Sequence, residues 1–537
     1  MATMGRREAR SRVGKALGAQ ELSSDRTLRR RAIATAACWA AGLPALLAPT
    51  CALAEKWAID AGVSSQLDVS SNASLGVSDS RGDGIIDLRP YIRILGEGAQ
   101  LKISGSAALG AITYLNGTQA GRIQPEADLN ATFAAVPQFL FVDAGVRALQ
   151  TSSNPFGARP ESGTTTENSA TTAQVHVMPR IEGRVSDRAR YHLSSENSWS
   201  HEGGSDAALP GSNASGYFGQ HSAWYEQDPV PLGWRIEAQR SETRYQQADQ
   251  DPLVLDVARA TLNYLVGQDF SIGAHVGGER TSLLTQTGTG FTYGLDAKWQ
   301  PSPRTLLSAF AEKRFFGSSW NLIFNHRTPG FAWSIVTSRT LETAPQSVVD
   351  LPASDNVAAQ LDQIFTTRFP DPIERARVVQ DLIARQGLPT STLQPIGLQT
   401  MRLSVVNLNS ATVTLIGVRS TLAATAFQSR TRDAVDTNPL FNGGAQTNNN
   451  QYGASIALTH QLNRAYALTG SADWSRIRAL DGAGDSQSTE RNVRLRLNMI
   501  ASPRTNVFAG TRYRAFASNT LTSGREVAAF VGLDHRF

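Results

Sequence analysis

Tyr466-Ala467-Leu468-Thr469-Gly470-Ser471-Ala472-Asp473-Trp474-Ser475 is the stretch whose reading decides the fold. In an extended chain successive side chains point to opposite faces. Tyr466, Leu468, Gly470, Ala472 and Trp474 then share one face, and Ala467, Thr469, Ser471, Asp473 and Ser475 share the other. The first face is apolar with an aromatic ring at each end; the second is polar and carries a carboxylate. In the like-patterned stretch Leu140–Arg147, burying Asp143 and Arg147 in a dry sandwich core would be costly. A strand with lipid on one side and a watery lumen on the other has no such conflict. Tyr466 and Trp474 are eight residues apart, about 26 Å along a strand at about 3.3 Å per residue. With a tilt of about 40° that becomes about 20 Å of height, close to the apolar band of an outer-membrane barrel.

The same alternation recurs outward from this segment. Val493, Leu495, Leu497 and Met499 alternate with Arg494, Arg496 and Asn498. Phe270, Ile272, Ala274 and Val276 alternate with Ser271, Gly273 and His275, and Leu140, Val142, Ala144 and Val146 with Phe141, Asp143, Gly145 and Arg147. Short connections such as Val136-Pro137-Gln138, Val266-Gly267-Gln268-Asp269, Gln461-Leu462-Asn463-Arg464 and Ser502-Pro503-Arg504 alternate with long polar ones at Asn154–Thr172, His201–Gly216 and Asp433–Asn450. Short turns at one end and long loops at the other are the signature of an up-and-down barrel. The expectation is an all-β, transmembrane, antiparallel barrel of about 18–22 strands, with an even total.

Composition agrees. The chain has 537 residues, 41% hydrophobic and 18% charged, with 45 glycines. That mixture suits many strands and turns better than packed helices. The formal charge of +5 misleads: residues 1–54 hold nine of the 51 basic residues and three of the 46 acidic ones, leaving 42 against 43. The basic pI therefore gives no argument for nucleic-acid binding. Arg29-Arg30-Arg31, the apolar run Ala32–Ala48 and Ala52-Leu53-Ala54 read as a secretory signal peptide over 1–54, cleaved after Ala54. Both cysteines, Cys38 and Cys51, lie in that leader, so the mature barrel over 55–537 has none. The expected location is the outer membrane, and the expected partners are outer-membrane lipid and the barrel-assembly machinery. The assembly signal is the last strand, with Val531, Leu533 and the terminal Phe537 on one face; His535 shares that face where an apolar residue is usual.

One stretch breaks the rhythm. Between 341 and 398 the alternation stops; Asp371-Pro372 opens a helix that Gly387 ends, and a shorter helix covers Val357–Phe365. The expectation is a partly helical insertion within the barrel, a lid or constriction loop in preference to a plug.

Three further phrases stand out: Val136-Pro137-Gln138-Phe139-Leu140-Phe141-Val142-Asp143-Ala144, Pro301-Ser302-Pro303-Arg304-Thr305 leading to Arg314-Phe315-Phe316-Gly317 and His326-Arg327, and the helical stretch around Asp371-Pro372, Arg375 and Gly387-Leu388-Pro389. They resemble the barrel family associated with the exosortase (PEP-CTERM) sorting system and exopolysaccharide gene clusters. The resemblance implies an outer-membrane protein linked to exopolysaccharide export, with no family catalytic residues to carry over.

The strongest chemical candidate is a group of arginines near the C-terminus. If Ser502–Arg504 is a turn, Arg494 lies opposite Arg512 and Asn492 opposite Arg514. Arg494, Arg496, Arg512, Arg514 and Arg536 then face the lumen, where they would favour an anionic solute such as acidic polysaccharide. The alternative is an arginine–carboxylate ladder with Glu526, Asp534 or Asp60. The eight histidines are scattered, with no metal-ligand pair at helical spacing; no metal and no cofactor are expected. The preferred function is a non-enzymatic porin-like or export-associated barrel. The competitors are an adhesive barrel with a blocked lumen, a barrel hydrolase with a Ser–His or Asp–His pair at the outer rim, and a soluble secreted β-rich protein.

Overall fold

The computed structural model describes residues 56–75, 80–152, 154–159, 168–203, 215–245, 252–283, 286–343, 357–389, 393, 395–396, 403–434, 448–480 and 486–537. The signal-peptide expectation lies outside the described residues.

Twenty-two strands follow one another. The first quarter is β1 (Lys56–Ser70), β2 (Asp83–Glu97), β3 (Leu101–Tyr114), β4 (Arg122–Val136), β5 (Leu140–Ser152) and β6 (Ser169–Ser186). Next come β7 (Ala189–Gly203), β8 (Gly216–Gln227), β9 (Leu232–Tyr245), β10 (Leu253–Val266), β11 (Phe270–Leu283) and β12 (Gln286–Ser302). Then β13 (Thr305–Arg314), β14 (Gly317–Thr328), β15 (Phe331–Thr343), β16 (Leu403–Ile416) and β17 (Ser420–Asp433). The set ends with β18 (Asn449–Gln461), β19 (Tyr466–Ala479), β20 (Gln487–Ser502), β21 (Thr505–Ser518) and β22 (Gly524–Arg536). Each pairs antiparallel with the next, and β1 pairs with β22, so the sheet closes and no edge remains. With strands about 4.8 Å apart and tilted about 40°, a closed sheet of this order has a circumference of about 140 Å and a backbone diameter of about 44 Å.

The faces sort as the alternation requires. Tyr191, Tyr225, Trp234, Tyr264, Trp299 and Tyr466 ring the exterior near the short-turn end, and Trp199, Tyr217, Trp320, Tyr452 and Trp474 ring it toward the long-loop end. Between them Ile236, Leu262, Val276, Leu295, Val493 and Leu495 are exposed, as lipid-facing side chains must be. Asp143 and Arg147 take the other face: Asp143 accepts from Arg180 Nε at 2.7 Å, and Arg147 lies 3.8 Å from Asp128. Lys56 and Arg536 both lie at the short-turn end.

The break at 341–398 holds two helices, α1 (Val357–Phe365) and α2 (Pro372–Gln386). Asp371 caps α2, its carboxylate accepting from the Ile373 and Glu374 N–H groups; Pro372 fits the first turn, where its missing donor is not needed. Gly387 ends the helix at φ 65°, and a side chain there would collide with Asn498. Val357, Leu361, Val379 and Leu388 form a small core with Ala423 of the barrel wall, and Ile416 packs against it. The described helices of this segment lie against lumen-facing side chains of the barrel wall, with the Thr469 hydroxyl and the Asn498 amide donating to the Gln386 carbonyl. Its helices meet the wall near the short turns, where Arg327 donates to the Gln363 carbonyl at 2.8 Å, Lys56 pairs with Asp371 and Arg536 pairs with Asp381 at 2.8 Å. The return arm runs up β18: Ile396 N–H donates to Gln451 Oε1 at 2.8 Å and Gln451 Nε2 to the Ile396 carbonyl at 2.9 Å.

Candidate functional site

The lumen has two unlike walls. The first, on β20–β22 and β1, holds the five arginines singled out from sequence, and the register is the expected one: Arg494 opposite Arg512, Asn492 opposite Arg514. All lie on the lumen face, yet they divide into two groups. Arg512 is 1% exposed, with Nη1 3.4 Å from Asp68 Oδ1 and Nη2 2.7 Å from Glu526 Oε1. Arg514 holds Glu490 at 2.7 Å and donates to the Arg159 carbonyl of the inward-folded 154–159 segment at 2.7 Å. Arg536 is bound to Asp381 of α2. These three therefore serve as ladder and anchor contacts; Glu526 was among the foreseen partners, while Asp68, Glu490 and Asp381 were not. Like charges facing across a ladder need such intervening carboxylates.

Arg494 and Arg496 differ. Arg494 lies 4.5 Å over the Phe530 ring, and Arg496 lies 3.9 Å over Phe508 while donating to Asn498 Oδ1 at 2.7 Å. Guanidinium stacking on an aromatic face orients the cation. The sequence reading missed both rings. A signal existed: Phe508 and Phe530 occupy the parity that their strands otherwise reserve for the lumen.

The second wall, on β5–β13, is the one α1 and α2 leave uncovered, since α1 packs at β14–β16 and α2 at β2 and β18–β20. Its β7–β13 part lines a cavity of 960 Å³ bordered by Arg235, Glu237, Arg259, His275, Asp296 and Lys298, among others. Its charges are paired along the wall: Arg180 with Asp143 at 2.7 Å, Arg190 with Asp228 at 2.8 Å, Arg235 with Glu237 at 2.8 Å, and Arg259 with Glu237 at 3.0 Å and Glu312 at 2.6 Å. Here too rings carry guanidinium groups: Arg180 on Phe141, Arg235 on Trp224 and Arg259 on Phe310, at 4.4, 4.8 and 5.7 Å. Buried His275 stacks on the same Phe310 at 5.0 Å, with Nδ1 3.2 Å from Asp296 and Nε2 3.6 Å from Glu312. Such a wall offers donors and acceptors in alternation with little net field, so it suits a hydrated polar solute of either sign.

A Ser–His contact does occur, between Ser195 Oγ and His221 Nδ1 at 2.9 Å on the exterior. The same Nδ1 contact recurs at Thr305–His326, Ser420–His460 and Thr505–His535, at 2.8, 2.9 and 2.9 Å. It is a cross-strand pairing habit of outward positions, and among the described residues no oriented third group of the kind a nucleophilic dyad needs is hydrogen-bonded to His221. Among the described residues no group of three or more His, Cys, Asp or Glu is placed to hold a metal, and no helix is long and apolar enough to cross a membrane.

Closed ladder, aromatic girdles, apolar exterior and charged interior together define a membrane-spanning β-barrel of the outer-membrane type. No family model and no curated protein matches the chain. Among solved structures, the siderophore receptor PirA from Pseudomonas aeruginosa is similar over 91% of this chain and 82% of that one, with 9% identity and a TM-score of 0.41. The OccK3 (OpdO) structure from the same organism is similar over 89% and 95%, with 10% identity and a TM-score of 0.31. The FrpB iron transporter from Neisseria meningitidis is similar over 89% and 81%, with 9% identity and a TM-score of 0.43. The assignment of the barrel rests on its own ladder and exterior and not on these likenesses.

Proposed function

We propose that this barrel is a non-enzymatic passage across the outer membrane, porin-like or export-associated, serving exopolysaccharide export or surface assembly. The observation that carries the passage is the uneven filling of the lumen. Among the described residues the helical segment packs on β14–β20 and β2, while β7–β13 border a 960 Å³ cavity lined by alternating cations and carboxylates. A hydroxyl-rich chain can exchange water for those donors and acceptors step by step, with no deep well to trap it. The link to exopolysaccharide rests on the resemblance of Val136–Ala144, Pro301–Thr305 and the Asp371–Pro389 stretch to the exosortase-associated barrels. An acidic polysaccharide would meet Arg494 and Arg496 on the other wall, the two cations held against rings.

The test is single-channel recording in planar bilayers. Wild-type barrel is expected to give a small conductance, transiently blocked by acidic oligosaccharides. A variant with residues 357–388 replaced by a Gly-Ser linker is expected to conduct several-fold more. Unchanged conductance in that variant refutes gating by the segment, and the absence of any conductance in both favours an adhesive barrel with a blocked lumen.

A further inference from the structure

Lipid-facing side chains near the long-loop end are not evenly mixed. On β15–β20 one cross-strand row reads Arg339, Asn407, Arg430, Asn450, Arg478, Gln487, each directly opposite the next. Its parity is the lipid-facing one, because Ile335 and Trp474 share it and are 38% and 39% exposed. The next row down, from Thr337 to Thr489, includes Arg476, and the row below that includes Arg491 beside Trp474. No carboxylate stands in any of these rows.

Height places this patch at the membrane surface. Arg339 is eight residues above Phe331 at the foot of β15, and Arg476 is ten above Tyr466 at the foot of β19. At about 3.3 Å per residue and a tilt of about 40°, those are about 20 and 25 Å above the lower girdle, the upper edge of an apolar band about 25 Å tall. Among the described residues none of Arg339, Arg430, Arg476, Arg478 and Arg491 forms an ion pair. Arg476 and Arg478 both donate to Gln487 Oε1, at 2.8 and 3.3 Å, which gathers two guanidinium groups on one neutral oxygen. The wall across the barrel is the contrast: there Arg240 is 3.4 Å from Asp256, and Arg244 is paired with Glu242. In that same third row, below Arg339, Arg430, Arg476 and Arg478, Ala411, Ala426 and Ala454 sit side by side between Ile335 and Trp474, a low floor with bulky rims.

We infer that this face binds a phosphorylated glycolipid of the outer leaflet. Its phosphates would lie among Arg339, Arg430, Arg476, Arg478 and Arg491, and its acyl chains would run down over the alanine floor. Five cations at headgroup level, without an ion pair among the described residues, call for anions of matching height, and guanidinium groups bind phosphate oxygens in pairs. The alanines remove side-chain bulk where chains must descend. This inference does not depend on what passes through the lumen.

The experiment uses the whole mature barrel, extracted from outer membranes in mild detergent, with bound glycolipid counted by native mass spectrometry and phosphorus assay. Wild type is expected to retain phosphorylated glycolipid. Arg430→Gln/Arg476→Gln/Arg478→Gln/Arg491→Gln is expected to lose it, with binding weakened roughly fivefold per arginine and about a thousandfold together. Heat-modifiable gel mobility verifies that the variant is an assembled barrel, and Arg240→Gln on the opposite wall is expected to keep wild-type stoichiometry. Equal retention by the quadruple variant overturns the inference, as does a wild-type barrel that takes up none from added glycolipid. Displacement by excess inorganic phosphate alone also overturns it, since that would mark a free-anion site in which the acyl chains play no part.

Discussion

Replacing Arg512 by Leu is the sharpest probe of the barrel's interior. The guanidinium is 0% exposed and sits between Asp68, also 0% exposed, and Glu526, 3% exposed, at the seam where β1 meets β22. Removing one partner of a buried pair leaves an uncompensated charge, which costs about 3–5 kcal/mol. Here the lower end applies. Glu526 keeps the Ser70 hydroxyl at 2.9 Å and Arg514 at 3.8 Å, and Asp68 keeps the Gln66 amide at 2.7 Å. A loss of about 3 kcal/mol is a factor of roughly 160 in the folding equilibrium. Urea titration of the refolded barrel in lipid vesicles, followed by gel mobility without boiling, would register that change. Adding Asp68→Asn and Glu526→Gln to the Leu variant should recover most of it, because the penalty comes from stranded carboxylates and not from a lost contact. Wild-type stability in Arg512→Leu, or no recovery in the triple variant, would refute the reasoning.

Other outcomes follow from the same geometry. Arg494→Ser with Arg496→Ser should lower anion-over-cation selectivity in planar bilayers while leaving stability within about 1 kcal/mol; unchanged selectivity removes these two from any anion path. The Lys56 ammonium, together with the Ile373 and Glu374 N–H groups, holds the Asp371 carboxyl below the usual carboxylate range. A depressed carboxyl stabilises above its unfolded pKa and loses that contribution as pH falls through its folded value. Acidifying the short-turn side below about pH 4 should therefore raise or roughen the conductance, and Asp371→Asn should do so at neutral pH. Phe537→Ser should reduce assembled barrel in cells with little effect on refolding in detergent, since Phe537 is 73% exposed and holds no core together; equal reduction in both would make its role structural.

The barrel was legible because its physics is local. Alternation along Tyr466–Trp474 or Leu140–Val146 places each side chain in lipid or water without knowledge of any distant residue, and Ser502–Arg504 sets the opposition of Arg494 and Arg512 from turn geometry alone. Helix α2 was legible for the same reason, from Asp371, Pro372 and Gly387. Its destination was not: whether an insertion stays outside or dives inward depends on Lys56, Arg327 and Arg536, which lie up to hundreds of residues away in the chain. The pairing of Arg512 with Asp68 was hidden likewise, because it is created only when the first and last strands meet. The basic exterior rows were hidden differently. Each arginine falls on its own strand, and only the inter-strand register sets them side by side.

Lys56 opens the first strand and Arg536 closes the last, and both grip α2 through Asp371 and Asp381. An unclosed sheet, with those two strands still apart, presents only half of that grip. The inner segment should thus settle after the cylinder is sealed, so that a nascent barrel passes through a stage with an empty bore. Once seated, the segment straps together the junction that was made last and shields it from reopening.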